Sequence, residues 1–441
     1  MAVTASASEP PSTTLSRLGL TLTDQAIVSA TSFLTSLIIG RFCGKEELGL
    51  YGLALAMLLI ANEVQTALVS TPHMVNTPRL AGERLRRFHG STLLHQFGLA
   101  LAFTAVLLLI AANCWWFGKP RLALTLAALA IGVTATSLGL HARAVCFTDH
   151  RPGGALAVDS VSCGLQLGVL LLLAHVGWLN AATGVLAMCL TTLPPAIGWL
   201  IGALPRMAPA LPTAVDDFRW IWPQARLIFV SGLLWTAGMH LYPWLIDVSA
   251  GHAAVGVWSA CFTVAALGNP LMLGVMNMIG PGIARQYTLR SPDGFRRYVW
   301  LVTAAFVGGM LLFACPLAVF GGELLRLLYG QAYAGNGLVV GLLAFGLVAR
   351  AAGYAVSRGL FVLHRADLDL LTNAAPLAVL LVLGVALTWS HGAVGAAWSL
   401  LVAQVAGTVV RAAMFDRCSR RANRGGASVE TPDRVVEATP A

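Results

Sequence analysis

Apolar residues recur along this chain in about twelve stretches between Thr21 and Phe415, and each stretch is long enough to cross a lipid bilayer. A helix rises 1.5 Å per residue, so roughly 20 mostly apolar residues span the hydrocarbon core. The pattern predicts an all-α integral membrane protein. Its predicted spans are 21–41, 48–69, 92–112, 121–141, 154–174, 179–203, 226–247, 253–276, 298–320, 336–356, 370–389 and 393–415.

The connections between these spans alternate between basic and nearly charge-free. Of the 28 Lys and Arg residues, five lie in the poorly charged connections: Arg41, Lys45, Lys119, Arg121 and Arg326. Most of the others lie in the alternate connections and beyond the last span. Because Lys and Arg concentrate in cytoplasmic segments, the pattern predicts an even number of spans with both termini in the cytoplasm.

The composition narrows the class of protein. Hydrophobic residues make up 57% and charged residues 11% of the chain, whereas a soluble domain carries about 25% charged residues. The net charge of +9 lies in short connections and near the C-terminus, which indicates contact with anionic membrane lipids rather than nucleic acid. No GxxxxGK[ST] motif occurs, so no nucleotide is expected. The eight cysteines form no CxxC pair, and neither a metal site nor another cofactor is expected.

A weak repeat divides the chain into halves. Gly44, Gly49 and Tyr51 follow the first span, and Gly251, Gly256 and Trp258 follow the seventh at the same spacing. Six spans per half give both halves the same orientation, which predicts a parallel pseudo-two-fold repeat around an axis along the membrane normal. Chance similarity of glycine-rich turns is the alternative. The predicted organisation is an N-terminal tail 1–20, an N-lobe 21–203, a linker 204–225, a C-lobe 226–415 and a disordered tail 416–441.

Several segments resemble a known family of exporters. The segments are Leu22-Thr-Asp-Gln-Ala-Ile-Val, Arg41-Phe with Gly44-Lys-Glu-Glu-Leu-Gly-Leu-Tyr, Arg151-Pro-Gly-Gly-Ala-Leu-Ala-Val-Asp, and Leu328-Tyr-Gly-Gln-Ala-Tyr-Ala. They are similar to polysaccharide transporters and O-antigen flippases of the multidrug/oligosaccharidyl-lipid/polysaccharide exporter superfamily. The resemblance implies two six-helix lobes around a central cavity and alternating access. It also implies export of a lipid-linked oligosaccharide across a bacterial-type plasma membrane.

Polar residues inside the spans are the candidate site, because ionisable groups in a bilayer are costly. Asp24 and Gln25 begin a polar stripe on the first span, which predicts a face that lines the cavity. The other candidates are Glu63, Asp159, Arg226, His240 and Arg350. All the charged candidates in the later spans lie towards the cytoplasmic side.

Two interpretations of these charges stay open. In the first, Arg226 and Arg350 hold a pyrophosphate, while the acids contact sugars or a coupling proton or sodium ion. In the second, acid–arginine pairs close the two halves together. His240 suits proton coupling, although a neutral histidine bonded to a backbone carbonyl is the favoured interpretation.

The sequence therefore predicts a flippase of lipid-linked oligosaccharides, without covalent chemistry and functional as a monomer. A multidrug-type antiporter of small cations is the alternative, because Asp24, Glu63 and Asp159 are acidic and Arg350 is the one clearly deep cation. A membrane-embedded glycosyltransferase or polymerase is disfavoured, because the outer connections are short.

Overall fold

The computed structural model describes residues 11–289, 291–363 and 367–424, and these residues are almost entirely helical. The first half of the chain forms α1 Pro11–Phe42, α2 Gly44–Gln65, α3 Thr71–Asn76, α4 Gly82–Trp116, α5 Pro120–Thr148, α6 Pro152–Val176, α7 Ala181–Leu190 and α8 Leu193–Ala203. The second half forms α9 Leu211–His240, α10 Tyr242–Ala250, α11 His252–Ala265, α12 Asn269–Leu289, α13 Pro292–Tyr329, α14 Gly337–Val362, α15 Asp367–Val379 and α16 Val385–Arg424. We call α1–α8 the N-half and α9–α16 the C-half.

Each of the twelve predicted spans coincides with a helix or an interrupted pair of helices in the described residues. Ten stretches there are long and apolar enough to cross a membrane, six of them in the N-half. The stretch Ala374–Arg420 contains most of the eleventh span and all of the twelfth, which meet at a kink where Gly392 has φ 55°. The seventh span is divided between α9 and α10 at Leu241. The chain is a multi-pass, all-α membrane protein with two lobes.

The glycines of the repeat meet where the halves pack together. Gly44 and Gly251 both have positive φ, of 84° and 80°, and each precedes or opens a helix after a tight turn. A Cβ on Gly49 would overlap the carbonyl of His252, and one on Gly256 would overlap the carbonyl of Lys45. The contact is therefore reciprocal, as a pseudo-two-fold axis requires. We call this end of the molecule the closed end.

The opposite end carries the connections around 77–82, 148–152 and 204–211, and we call it the basic end. The predicted linker 204–225 is helical from Leu211 onward and continues into the seventh span. Its buried Asp217 forms an ion pair with Arg84 at the start of α4, and His95 Nε2 lies 2.7 Å from the carbonyl of Ala214. These contacts fix the segment against the N-half.

The helices also extend into the predicted tails. Helix α1 begins at Pro11, and α16 continues to Arg424, so residues 416–424 are helical where disorder was expected. Asp416 explains the extension, because it forms ion pairs with Arg296 at 2.9 Å and with Arg420 at 2.7 Å. Residues 1–10 and 425–441 lie outside the described part of the chain.

Candidate functional site

The polar stripe of α1 faces protein. Asp24, Thr31 and Thr35 are buried, whereas Ala26 and Ala30 on the opposite arc are exposed. Such an orientation is expected, because hydroxyl and carboxylate groups in a bilayer need internal partners. Thr35 accepts a hydrogen bond of 2.8 Å from Gln166 on α6. Most of the stripe therefore holds helices together rather than lining open space.

Asp24 belongs to an ionic cluster that joins three helices of the N-half. Arg143 on α5 contacts Asp24 through Nη2 at 2.8 Å and Asp159 on α6 through Nε at 2.7 Å. The Asp24 side chain is fully buried and that of Asp159 is 11% exposed. We call these three residues the N-half triad. One guanidinium serves two carboxylates, which also lie within hydrogen-bond reach of each other, so the triad carries one formal negative charge.

Glu63 lies at a contact between the halves. A Cβ on Gly232 of α9 would overlap the Glu63 carboxylate, and Glu63 forms a side-chain hydrogen bond with the buried Thr236 one turn later. No cation lies within salt-bridge distance of Glu63 in the described residues. This carboxylate therefore sits against a backbone of the opposite half, at the position where the halves would slide or separate.

Two small chambers lie near the centre of the molecule. The first, of about 60 Å³, lies between the halves and is bordered by Ser36 of α1, Tyr51 of α2, and His240 and Trp258 of the C-half. The second, of about 40 Å³, lies within the C-half and contains Arg350. Met239 and Phe262 border both chambers. Their volumes suit a few water molecules and no saccharide, because one water needs about 10–15 Å³ of space measured in this way.

Arg350 is the cation of the second chamber. Its Nη2 donates to Asn269 Oδ1 at 3.0 Å and lies 3.5 Å from Met272 Sδ, and its Nε is buried without a hydrogen-bond partner in the described part of the chain. No carboxylate lies within salt-bridge distance of this guanidinium among the described residues. A guanidinium held by neutral groups in an apolar chamber is electrostatically suited to an anion.

The remaining predicted residues are placed differently. His240 ends α9 and borders the chamber between the halves. Gln25 is partly exposed and makes no polar contact with the described residues, and Arg226 is exposed on α9 and borders neither chamber. The structure thus brings Asp24 together with Asp159, brings His240 near Arg350, and leaves Arg226 apart.

Sequence reasoning missed Arg143 and Arg411. Arg143 follows the predicted end of the fourth span by two residues, but α5 continues to Thr148 and keeps Arg143 within the helix bundle. Arg411 is buried on α16, with its Nε donating to Thr372 Oγ1 at 3.2 Å. The sequence feature that could have identified both arginines is their position at the ends of spans, opposite acids or hydroxyls of neighbouring spans. Among the described residues, no group of three or more His, Cys, Asp or Glu side chains could hold a metal ion.

The closed end is reinforced by polar contacts between the halves. Ser36 shares hydrogen bonds with Tyr329, at 3.1 Å, and with Thr263, at 3.0 Å. Arg41 Nη1 donates to the carbonyls of Leu327 and Leu328 at 3.0 and 2.9 Å. Burial raises the pKa of Tyr333, so its hydroxyl stays protonated and donates to the carbonyl of Gly40 at 3.3 Å. These contacts join the two halves at the closed end.

Comparison with solved structures decides the fold. An inward-facing multidrug resistance MATE transporter of the MOP superfamily superposes with a TM-score of 0.75 at 14% identity, covering 90% of this chain and 96% of that one. The lipid II flippase MurJ, in an inward closed conformation, gives 0.69 at 12% identity, covering 92% and 90%. The chain has the MOP transporter fold. No protein-family model and no curated protein matches it.

A third solved structure shares the fold in another conformation. An outward-facing MATE transporter of the MOP superfamily gives a TM-score of 0.62 at 13% identity, covering 92% of this chain and 94% of that one. In this chain the two halves contact each other at the end that bears Gly49 and Gly256.

Proposed function

We propose that this protein is a flippase that moves a lipid-linked oligosaccharide across a bacterial-type plasma membrane. Arg350 carries the proposal, because it is a deep guanidinium whose neighbours within hydrogen-bond distance are neutral. A pyrophosphate linking lipid to saccharide would supply the missing anion through charge-assisted hydrogen bonds. Burying an unpaired cation is costly, so an anionic ligand that compensates it gains affinity from that site.

The acidic residues of the N-half support cation transport less strongly once their partners in the structure are known. Arg143 neutralises one of the two carboxylates of the triad, and both are held in contact with it. Of the acidic candidates, Glu63 therefore remains as the carboxylate without a cationic partner in the described residues. Two charged candidates near the centre therefore have no ion-pair partner among the described residues: Arg350 in the C-half and Glu63 at the contact between the halves.

The transport cycle follows from the two ends. The charge asymmetry favours an outer position for the closed end, so the head group would enter from the cytoplasmic, basic end. The central chambers are too small for a saccharide, so the halves must separate before the head group reaches Arg350. Both termini would lie in the cytoplasm, and a monomer contains the complete pathway.

A second candidate function is antiport of small organic cations. The supporting observation is the excess carboxylate of the triad, where Asp24 and Asp159 share Arg143 and lie within hydrogen-bond reach of each other. Two acids that share one cation can exchange a proton or sodium ion at the moment when the cluster loosens. The same exchange would couple a flippase to an ion gradient, so the triad alone does not separate the two functions.

The discriminating experiment is reconstitution of the full chain in liposomes. Flipping of a fluorescent lipid-linked oligosaccharide is measured with and without imposed proton and sodium gradients, in parallel with uptake of a cationic dye. Wild type is compared with Arg350→Ala and Asp24→Asn, and Arg121→Gln at the closed end is the matched control. Flipping that Arg350→Ala abolishes supports the flippase. Gradient-driven dye uptake without flipping of any lipid-linked substrate would replace it with the antiporter.

A further inference from the structure

A larger cavity lies at the basic end, outside the central pathway. Its volume is about 360 Å³, and it is bordered by the start of α4, the connection between α5 and α6, and the end of α8. It belongs entirely to the N-half and shares no bordering residue with the central chambers. Transport by the central route therefore does not account for it.

Two glycines keep this cavity open. Gly198 and Gly202, one helical turn apart on α8, form one of the GxxxG pairs in the sequence. Such pairs commonly allow two helices to pack closely. Here a Cβ built on either glycine meets no atom within 4 Å, and both residues border the cavity. The pair provides space for a ligand rather than a helix contact.

The charge of the cavity is net positive. Arg151 precedes α6 and Arg206 follows α8, and both border the cavity. Neither guanidinium lies within salt-bridge distance of a carboxylate in the described residues. Asp149 is the one carboxylate that borders the cavity, so the two arginines exceed it by one charge. His89 adds a buried Nδ1 without a hydrogen-bond partner in the described part of the chain.

An apolar surface adjoins the charged cavity on the same helix. Ile197 and Ile201 lie on α8 and Leu204 directly follows it, and these residues are 41%, 69% and 48% exposed. Residues at this spacing share one helix face, which lies beside the face of Gly198 and Gly202. Helix α8 belongs to a stretch that is long and apolar enough to cross a membrane, so we expect this face to contact hydrocarbon. A ligand that is anionic at one end and apolar along its length fits both surfaces.

We infer that this cavity binds the head group of an anionic glycerophospholipid, with its phosphate between Arg151 and Arg206 and its acyl chains along the exposed face of α8. Basic pockets between membrane helices on the cytoplasmic side bind such head groups. A free phosphate ion would satisfy the arginines but would leave the adjoining apolar face without a role. The site is independent of which substrate the protein transports.

The test is lipid binding by the purified full chain in non-ionic detergent, measured by native mass spectrometry and thermal unfolding. Phosphatidylglycerol, phosphatidylcholine and inorganic phosphate are titrated against wild type. Arg151→Gln combined with Arg206→Gln removes the charge, and Gly198→Leu fills the cavity without changing charge. Gly164→Leu on α6, where a Cβ also meets no atom within 4 Å, is the matched control.

We expect phosphatidylglycerol to bind wild type in preference to phosphatidylcholine, and both the double variant and Gly198→Leu to bind it about tenfold or more weakly. Gly164→Leu should bind as wild type does, and Asp149→Asn should bind more tightly. Equal phosphatidylglycerol affinity in wild type, the double variant and Gly198→Leu would overturn the proposal. Stabilisation by inorganic phosphate equal to that by the lipid would overturn the lipid assignment. Two variants with different mechanisms keep the test valid if one fails to fold.

Discussion

The two halves of this molecule treat buried charge in opposite ways. In the N-half, Arg143 lies between Asp24 and Asp159, at 2.8 and 2.7 Å. In the C-half, Arg350 reaches an asparagine and a methionine, and no carboxylate in the described residues pairs with it. Both guanidiniums lie within the helix bundle. One therefore stabilises the bundle as it stands, and the other has capacity left for a ligand.

This difference separates structural charges from functional ones more sharply than depth does. A buried ion pair helps to hold neighbouring helices together, and the folded protein loses stability when one partner of the pair is removed. A charge held by neutral groups costs stability in the resting protein, and under the proposed function its counter-charge is the substrate. This difference can be tested by removing a charged partner from the N-half triad or by adding one beside Arg350.

The largest expected effect follows from Arg143→Gln. The substitution leaves two carboxylates buried beside each other without a cation, which should lower the free energy of unfolding by about 3–5 kcal/mol. Thermal unfolding of the purified protein measures this loss. Arg121→Gln is the control, because the exposed Arg121–Glu46 pair should contribute at most about 1 kcal/mol. Equal behaviour of the two variants would show that the triad is not structural.

The substitution Asn269→Asp gives Arg350 a carboxylate partner. The new carboxylate would lie at the position of Oδ1, 3.0 Å from Arg350 Nη2, and would compete with any anionic ligand. We expect about tenfold slower flipping of a lipid-linked oligosaccharide, equivalent to 1.4 kcal/mol, with folding retained. The control is Asn180→Asp, because aspartate caps α7 as well as asparagine does. Flipping at the wild-type rate in Asn269→Asp would show that Arg350 does not hold the substrate.

Asp159→Asn should have the smallest effect on stability. It leaves the Arg143–Asp24 pair intact at 2.8 Å and removes the excess negative charge, so the free energy of unfolding should change by less than about 1 kcal/mol. Its informative consequence concerns coupling: if the excess carboxylate carries the driving ion, flipping should continue and lose its response to an imposed gradient. An unchanged response to proton and sodium gradients would remove the triad from the coupling mechanism.

The sequence predicts most of the fold, because span length and alternating charge are properties of the chain itself. It also identifies Asp24, Asp159 and Arg350 as buried. It does not predict their partners, since pairing depends on where each helix ends. Helix α5 extends seven residues beyond the predicted span 121–141 and thereby includes Arg143. The sequence likewise gave the Gly49 and Gly256 repeat, but not the close approach of the two halves there.

The start of helix α9 explains why Arg226 does not lie at the central site. The prediction put this residue at the beginning of a span, beside a linker that ended at 225. In the structure α9 begins at Leu211 and packs against the N-half, and Arg226 occupies an exposed position along that helix. A hydropathy pattern does not show whether the polar segment before a span is helical. It therefore cannot show whether the first residues of that span face the protein or its surroundings.

The most direct test of the account is the affinity of the full chain for a polyprenyl pyrophosphate, compared with the uncharged prenol, in wild type, Arg350→Gln and Arg350→Lys. Hydrogen bonds to charged groups contribute about 1.5–3 kcal/mol, so Arg350→Gln should lose about tenfold or more of the pyrophosphate affinity. Affinity for the prenol should stay unchanged, and Arg350→Lys should retain part of the preference. Equal preference for the pyrophosphate in wild type and Arg350→Gln would contradict the central claim.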